Sequence, residues 1–153
     1  MNDKLELKDL VGYLPYGLKC QLPKHQVRYG QQEILELNGL SLNSDKTVNP
    51  EFLLTNDDLL FGTEIKWWKP ILRPLSDLVK EIEVDGHRIV PAEKIFPKEW
   101  SDFKRGGMRI DMMFPWNRLP KIWRYIDFVQ LLELHFDVFG LIKRGLAVDI
   151  NTI

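Results

Sequence analysis

The hydrophobic pattern is densest near the C-terminus, where twelve of the eighteen residues 122–139 are apolar. On a helical wheel, Gln130, Glu133 and Asp137 form one narrow polar stripe, and apolar side chains fill most of the remaining circumference. A helix that is apolar nearly all round is buried within its domain or against a partner. The pattern therefore predicts a long, buried helix that the rest of the chain is organised around.

The ends of this predicted helix carry recognisable signals. Pro120 is typical of a first helical turn, because its missing N–H would have no partner there. Lys143, Arg144 and Gly145 indicate the end, since cations stabilise the negative pole of a helix and glycine accepts a left-handed C-cap. Gly140 is then either an interior glycine or the site of a break. A membrane span is disfavoured, because ionised side chains within residues 122–139 would each cost about 2.5–3.5 kcal/mol at the centre of a bilayer.

The other predicted elements are short. A capping box of Asp3 and Glu6 indicates the start of an N-terminal helix, Gly39 indicates a β-bulge, and residues 43–50 read as a polar loop. The predicted helices span 4–11, 75–79 and 93–102, and the predicted strands span 18–22, 33–42, two short segments within 52–71, and 146–150.

Asp85 and Gly86 give the clearest local signal. They lie between two segments that alternate apolar and polar residues, and Asp-Gly in that setting is typical of a two-residue β-hairpin turn. The whole pattern predicts an α+β fold: a small antiparallel sheet or partial barrel, built from the first ninety residues, that packs against the long C-terminal helix.

Composition places the chain among ordinary globular proteins, with 44% hydrophobic and 28% charged residues in 153. That length predicts a single domain, mainly β over 1–91, with a basic, tryptophan-containing connector over 92–119 and the helix and tail over 120–153. A lone cysteine, Cys20, is incompatible with an internal disulfide and fits a reducing cytosol. The N-terminus leads into no apolar run, so no secretory signal is expected.

Charge is distributed unevenly. Residues 94–124 hold eight basic and three acidic side chains, a net of +5, so that the remainder carries −6 of the overall −1. Cations follow a phosphate backbone and aromatic rings stack on bases, which would suit single-stranded nucleic acid. Tryptophan is equally typical of cores and of protein interfaces. The candidate binding residues are Trp100, Lys104, Arg105, Arg109, Trp116, Arg118 and Trp123.

No coherent catalytic set emerges from the sequence. Glu133 and Asp137 would share one helical face and, with oxygens from elsewhere, suit a divalent cation, whereas His135 would point about 200° away. A solvated acidic stripe and a core histidine explain these residues more simply. Cys20 reads as a small buried hydrophobe rather than a nucleophile. Residues 103–109 are more typical of a basic turn than of a phosphate cradle, and neither a metal nor a cofactor is expected.

Three phrases carry a family resemblance. The segment Lys69-Pro-Ile-Leu-Arg-Pro-Leu-Ser-Asp-Leu78 and the C-terminal His135-Phe-Asp-Val-Phe-Gly-Leu-Ile142 with Gly145-Leu-Ala-Val-Asp-Ile-Asn-Thr-Ile153 resemble small hypothetical proteins of gut-bacterial phages and mobile elements. Tyr13-Leu-Pro-Tyr-Gly-Leu-Lys19 resembles the start of the same group. The resemblance covers about a quarter of the chain. It implies a phage or mobile-element origin and the cytosol of a bacterial host, and it implies no reaction and no catalytic residue.

These observations lead to one leading hypothesis and two alternatives. The first is a non-catalytic accessory protein that acts by binding another protein or by self-association. The second is single-stranded nucleic-acid binding through residues 94–124. The third is a metal-assisted enzyme that uses Glu133 and Asp137.

Overall fold

The computed structural model describes residues 4–22, 33–42, 48–53, 59–61, 67–106 and 124–153. The chain divides into two compact units, Met1–Leu72 with Phe139–Ile153, and Arg73–Val138. Helices and strands occur together, so the α+β class is confirmed. This division into compact units leaves the expectation of a single domain over 1–153 as a prediction.

In its described residues, the first unit contains the main sheet and only short helices. These helical segments are α1 (Leu7–Leu10) and two 3₁₀ helices, Val11–Tyr16 and Ile150–Thr152. Its strands are β1 (Lys19–Gln21), β2 (Ile34–Leu42), β3 (Val48–Leu53), β4 (Leu59–Phe61), β5 (Lys69–Leu72) and a C-terminal strand, β8 (Val148–Asp149). The helix predicted over 4–11 is thus shorter, at Leu7–Leu10, and 3₁₀ structure follows it from Val11. Its predicted cap, Asp3, lies outside the described residues.

The described strands form a sheet in the order β4-β3-β2-β1-β5-β8. The prediction of a purely antiparallel sheet is wrong, because β8 pairs parallel to β5, with Ile71 opposite Val148 and Leu72 opposite Asp149. The predicted edge strand within 146–150 is confirmed. The predicted polar loop over 43–50 is wrong at its end, since β3 already begins at Val48.

Gly39 lies at the irregularity that the sequence predicted. Leu37 pairs with Phe52 and Gly39 with Glu51, so β2 spends one more residue than β3 at this point. A Cβ at Gly39 would lie 2.9 Å from Oε2 of Glu51. Glycine, which has no Cβ, therefore leaves room for the Glu51 side chain at the bulge.

Apolar side chains from both ends of the sequence build the core of the first unit. Tyr13 is fully buried, and its ring meets that of Phe139 edge-on at 6.1 Å between centroids. Leu18 and Leu141 are likewise fully buried. The buried carboxylate of Asp9 accepts from the backbone N–H of Glu6 at 2.9 Å, and Nη1 of Arg144 lies 3.6 Å from its Oδ1. The C-terminal segment thus completes a core begun by α1.

The second unit contains the hairpin and the longer helices. Its described elements are a 3₁₀ helix (Leu75–Val79), β6 (Ile82–Val84), β7 (His87–Ile89), α2 (Pro91–Ile95), α3 (Pro97–Lys104) and α4 (Tyr125–Glu133). The helical segments predicted over 75–79 and 93–102 are confirmed in position, the first as a 3₁₀ helix and the second as α2 and α3.

The predicted hairpin is confirmed. Val84 pairs with His87 across a two-residue turn, and both turn residues have positive φ, +50° at Asp85 and +77° at Gly86. Positive φ at both positions is the requirement of a type I′ turn, whose twist matches that of the flanking strands. Asp-Gly meets this requirement at little steric cost.

The long C-terminal helix is wrong. In place of a helix over 122–139, α4 spans Tyr125–Glu133, and Pro120, its predicted start, lies outside the described residues. Gly145 does adopt a left-handed conformation, at φ +72°, but it closes a turn in which its N–H donates to the carbonyl of Ile142. Gly140, at φ +68°, is not interior to a helix either.

A left-handed residue ends α4 early. His135 has φ +56°; its N–H donates to the carbonyl of Leu132, and that of Phe136 to the carbonyl of Leu131, both at 2.9 Å. These two bonds form a Schellman motif, in which Phe136 and Leu131, both fully buried, supply the accompanying apolar residues. This early end was hard to predict, because glycine is the usual residue at this position.

Gly86→Ala should lower the free energy of unfolding by about 1–2 kcal/mol, because any Cβ is strained at a left-handed φ. No atom lies within 4 Å of the added Cβ, so the cost is conformational rather than a clash. Urea denaturation would measure it. Asp85→Asn is the control, since asparagine tolerates the left-handed region; an equal loss in both variants would contradict the turn assignment.

Candidate binding surfaces

The structure describes three of the seven predicted binding residues. Trp100 and Lys104 belong to α3, and Arg105 follows it directly. The other four lie outside the described residues, so the basic and aromatic segment 94–124 is seen only in part. Their binding role stays a prediction. The four are Arg109, Trp116, Arg118 and Trp123.

Trp100 is engaged within its own helix. Its half-buried ring stacks on Phe103, with centroids 5.3 Å apart and planes at 21°, and Nζ of Lys104 lies 5.6 Å from its centroid. Its Nε1 is buried and has no hydrogen-bond partner in the described part of the chain. Both contacts use ring surface that a nucleic-acid base would need for stacking. The main role of Trp100 is therefore packing within α3.

The cations around α3 differ in their pairing. Lys104 lies 3.4 Å from the carboxylate of Glu93 in α2. Arg105 donates to the hydroxyl of Ser101 at 2.8 Å, which leaves its charge uncompensated. Lys98 is exposed in the first turn of the helix. Lys104 is therefore paired with a carboxylate, whereas Arg105, which follows the helix, is not.

Two apolar side chains stand in solvent at the start of α4. Tyr125 is 83% exposed and Ile126 is 53% exposed, although the pattern predicted both to be buried. Asp127 and Leu131 are buried instead, so the helix turns the side carrying Asp127 inward and its first two residues outward. Sequence reasoning missed this surface because it treated Asp127 as a polar interruption rather than as an inward-facing cap.

Asp127 fixes the first turn of α4. Its carboxylate accepts two hydrogen bonds from the Arg124 guanidinium, at 3.0 Å from Nε and 2.8 Å from Nη2, and one from the Arg124 backbone N–H at 3.3 Å. Hydrogen bonding to this carboxylate, and then its charge, raise the pKa of Arg124. An anion at the positive end of a helix is favourable. The hydrogen bonds of Asp127 therefore anchor the turn that carries the exposed side chains of Tyr125 and Ile126.

The proposed pair of metal ligands is not assembled. Glu133 is exposed in the last turn of α4, whereas Asp137 is buried beyond it, and its N–H donates to the carbonyl of Arg73 at 2.8 Å. The expectation that both share one helical face is wrong, because the helix ends between them. In the parts of the chain described, no three His, Cys, Asp or Glu side chains form a group that could hold a metal ion.

The remaining sequence candidate, Cys20, behaves as a structural residue. Cys20 is buried in β1, as predicted, and burial raises the pKa of its thiol. Asp77 is buried and accepts from Nζ of Lys80 at 2.6 Å. Among the described helices, none has the length and apolar character needed to span a bilayer.

Comparison with protein-family models, with curated proteins and with solved structures finds no match to this chain.

Asp127→Asn should lower the free energy of unfolding by about 1–2 kcal/mol, because it removes an anion from the positive end of α4 and weakens the bond to the Arg124 backbone N–H. The ion pair itself adds little, since Arg124 is exposed. Denaturant titration would measure the loss. Glu133→Gln is the matched control: it removes a carboxylate from the negative end of the same helix and should be neutral or slightly stabilising. The reverse order would refute the capping role.

Cys20 should resist modification in the folded protein. Burial blocks access and, by raising the thiol pKa, keeps the reactive thiolate scarce at about pH 8. Reaction with Ellman's reagent should therefore be slow in buffer and complete in concentrated guanidinium. Rapid reaction of the native protein would contradict the placement of this side chain.

Proposed function

We propose that this chain is a non-catalytic binding protein whose partner is another protein, contacted through the exposed start of α4. The observation that carries the proposal is the exposure of Tyr125 and Ile126, at 83% and 53%. Large apolar side chains standing side by side in water are typical of interaction sites. Tyrosine in particular is enriched among the residues that contribute most to protein interfaces.

The surroundings of this pair suit an interface. Helical geometry places Val129, Gln130 and Glu133 on the same side of α4 as Ile126, and these are half-buried, half-buried and exposed in turn. This side of α4 is therefore apolar at the start of the helix and polar at its end. The Arg124–Asp127 hydrogen bonds hold the first turn in place, which reduces the ordering cost on binding.

The setting rests on the family resemblance. The phrases at 69–78, 135–142 and 145–153 favour an accessory protein of a phage or mobile element that acts in the cytosol of a bacterial host. An accessory protein of this kind needs no chemistry of its own, and binding a host or phage protein is sufficient. The origin and the location are parts of the proposal.

Both alternatives have less support. Single-stranded nucleic-acid binding needs exposed rings for stacking, and the ring of Trp100 is engaged by Phe103 and Lys104. The metal-assisted enzyme relied on Glu133 and Asp137 lying on one helix, and α4 ends at Glu133. Protein binding needs only the surface that α4 presents.

Site-specific photo-crosslinking would test the proposal. A photoreactive phenylalanine analogue at Tyr125 keeps an aromatic side chain at a position with ample room, so folding should be unaffected. We expect it to form a defined crosslinked product with a protein in bacterial lysate. The same analogue at Val11, which is 52% exposed in the other unit, is the matched control and should not form that product.

Ile126→Ser should reduce the yield of the Tyr125 product, whereas Val11→Ser should not. Light scattering after size exclusion would show whether the crosslinked partner is a second copy of the chain. The absence of any product specific to Tyr125, or equal products from both positions, would overturn the proposal.

A further inference from the structure

Asn38 and Gly39 form the only Asn-Gly pair in the sequence, and they lie at the bulge of β2. On either side of the bulge, Leu37 pairs with Phe52 and Gly39 pairs with Glu51. Asn38 is therefore the extra residue and lies opposite no residue of β3. Its side chain is exposed. An exposed asparagine thus lies where the sheet is interrupted, directly before a glycine.

An Asn-Gly pair can react without an enzyme. The backbone nitrogen of the glycine attacks Cγ of the asparagine, loses its proton and expels ammonia from the side chain, which closes a succinimide ring. Water then opens the ring at either of its two carbonyls and leaves aspartate or isoaspartate. The net change is amide plus water to carboxylate plus ammonium, so the reaction is redox-neutral. Glycine is the most favourable second residue, because it has no Cβ to hinder the attack.

The backbone at Asn38 is held less firmly than in a regular strand. Ladder hydrogen bonds normally keep a strand in the extended form that ring closure has to change. Among the described strands, β1 pairs with β2 only as far as Glu36, and the bulge interrupts the pairing with β3. The other asparagines precede larger residues, which hinder the attack, or proline, which lacks the N–H. These following residues are Asp3, Ser44, Pro50, Asp57, Arg118 and Thr152.

Packing confines position 39 to glycine. A Cβ there would lie 2.9 Å from Oε2 of Glu51, so a larger residue would displace that side chain. Position 38 is under no such constraint, since no described residue forms a side-chain hydrogen bond with Asn38. The side chain is thus free to approach the backbone nitrogen of Gly39. The bulge therefore keeps the reactive glycine in place and leaves the asparagine accessible to water.

We infer that Asn38 is a site of spontaneous deamidation, which converts it to aspartate and isoaspartate in the folded protein. The new carboxylate lies two residues from Glu36, which is also exposed, and next to the glycine that Glu51 approaches. Three anions then share this part of the sheet, and like charges on neighbouring strand positions are destabilising. The modification weakens the sheet as the protein ages. The inference goes beyond the proposed function and does not rest on it.

Peptide mapping by mass spectrometry would test the inference on the full, folded chain. The protein is incubated in mildly alkaline buffer, and samples are digested in acid, which stops the reaction. We expect most of the new acid at residue 38, divided between aspartate and isoaspartate, and little at Asn151, which is also exposed but precedes threonine. Asn38→Gln keeps an amide on a longer side chain. It is the matched control and should lose this product.

A parallel incubation in concentrated urea gives the rate for the unfolded chain. If Asn38 is converted in urea but stays intact in the native protein over the same time, the strand protects it and the inference is overturned. Conversion of Asn38 in the native protein no faster than that of Asn151 would overturn it as well.

The effect of the new charge can be measured separately. Asn38→Asp reproduces one product of the reaction and should unfold at a lower urea concentration than Asn38→Gln. The difference should shrink at high salt, because salt screens interactions between exposed charges. Equal unfolding midpoints for the two variants would contradict the weakening of the sheet.

Discussion

Two backbone hydrogen bonds at Arg73 hold the segment that follows α4. The N–H of Arg73 donates to the carbonyl of His135, and the N–H of Asp137 donates to the carbonyl of Arg73, both at 2.8 Å. This parallel bridge pairs Phe136 with Arg73, so α4 has to end before Phe136. The left-handed conformation of His135 makes the change of direction, and Phe136 enters the core as a result. The length of α4 follows from this pairing.

Buried carboxylates stabilise local structure through short-range hydrogen bonds in both units. Asp9, Asp77 and Asp127 are each nearly inaccessible, yet each accepts from a group close in sequence: a backbone N–H, a lysine or an arginine. Burying a carboxylate is costly unless hydrogen bonds compensate for the lost water. Since these partners are three residues away, satisfying the charge also fixes a turn or a helix start. Asp9 and Asp127 thus hold the first turns of α1 and α4, whereas Asp77 holds the residue that follows its 3₁₀ helix.

Local patterns predicted local structure well. The Asp85-Gly86 hairpin, the bulge at Gly39 and the burial of Cys20 each depend on residues near in sequence or on one strong preference. What depended on distant partners was missed. The apolar run at 122–139 was interpreted as one helix because the bridge from Arg73 cannot be seen in the sequence and histidine is an unusual C-cap. The exposed Tyr125 and Ile126 were missed because their orientation follows from the burial of Asp127.

The first unit is discontinuous in sequence. Its final strand, β8, pairs with β5 across an interval that contains the whole second unit. During translation, the sheet cannot acquire that strand until the ribosome has made residues 73–138 as well. Closing so long an interval carries an entropic cost, which the bonds at Arg73 reduce by bringing the two ends of the inserted segment together. The sheet therefore lacks β8 beside β5 until the second unit has been made, and the second unit has time to fold first.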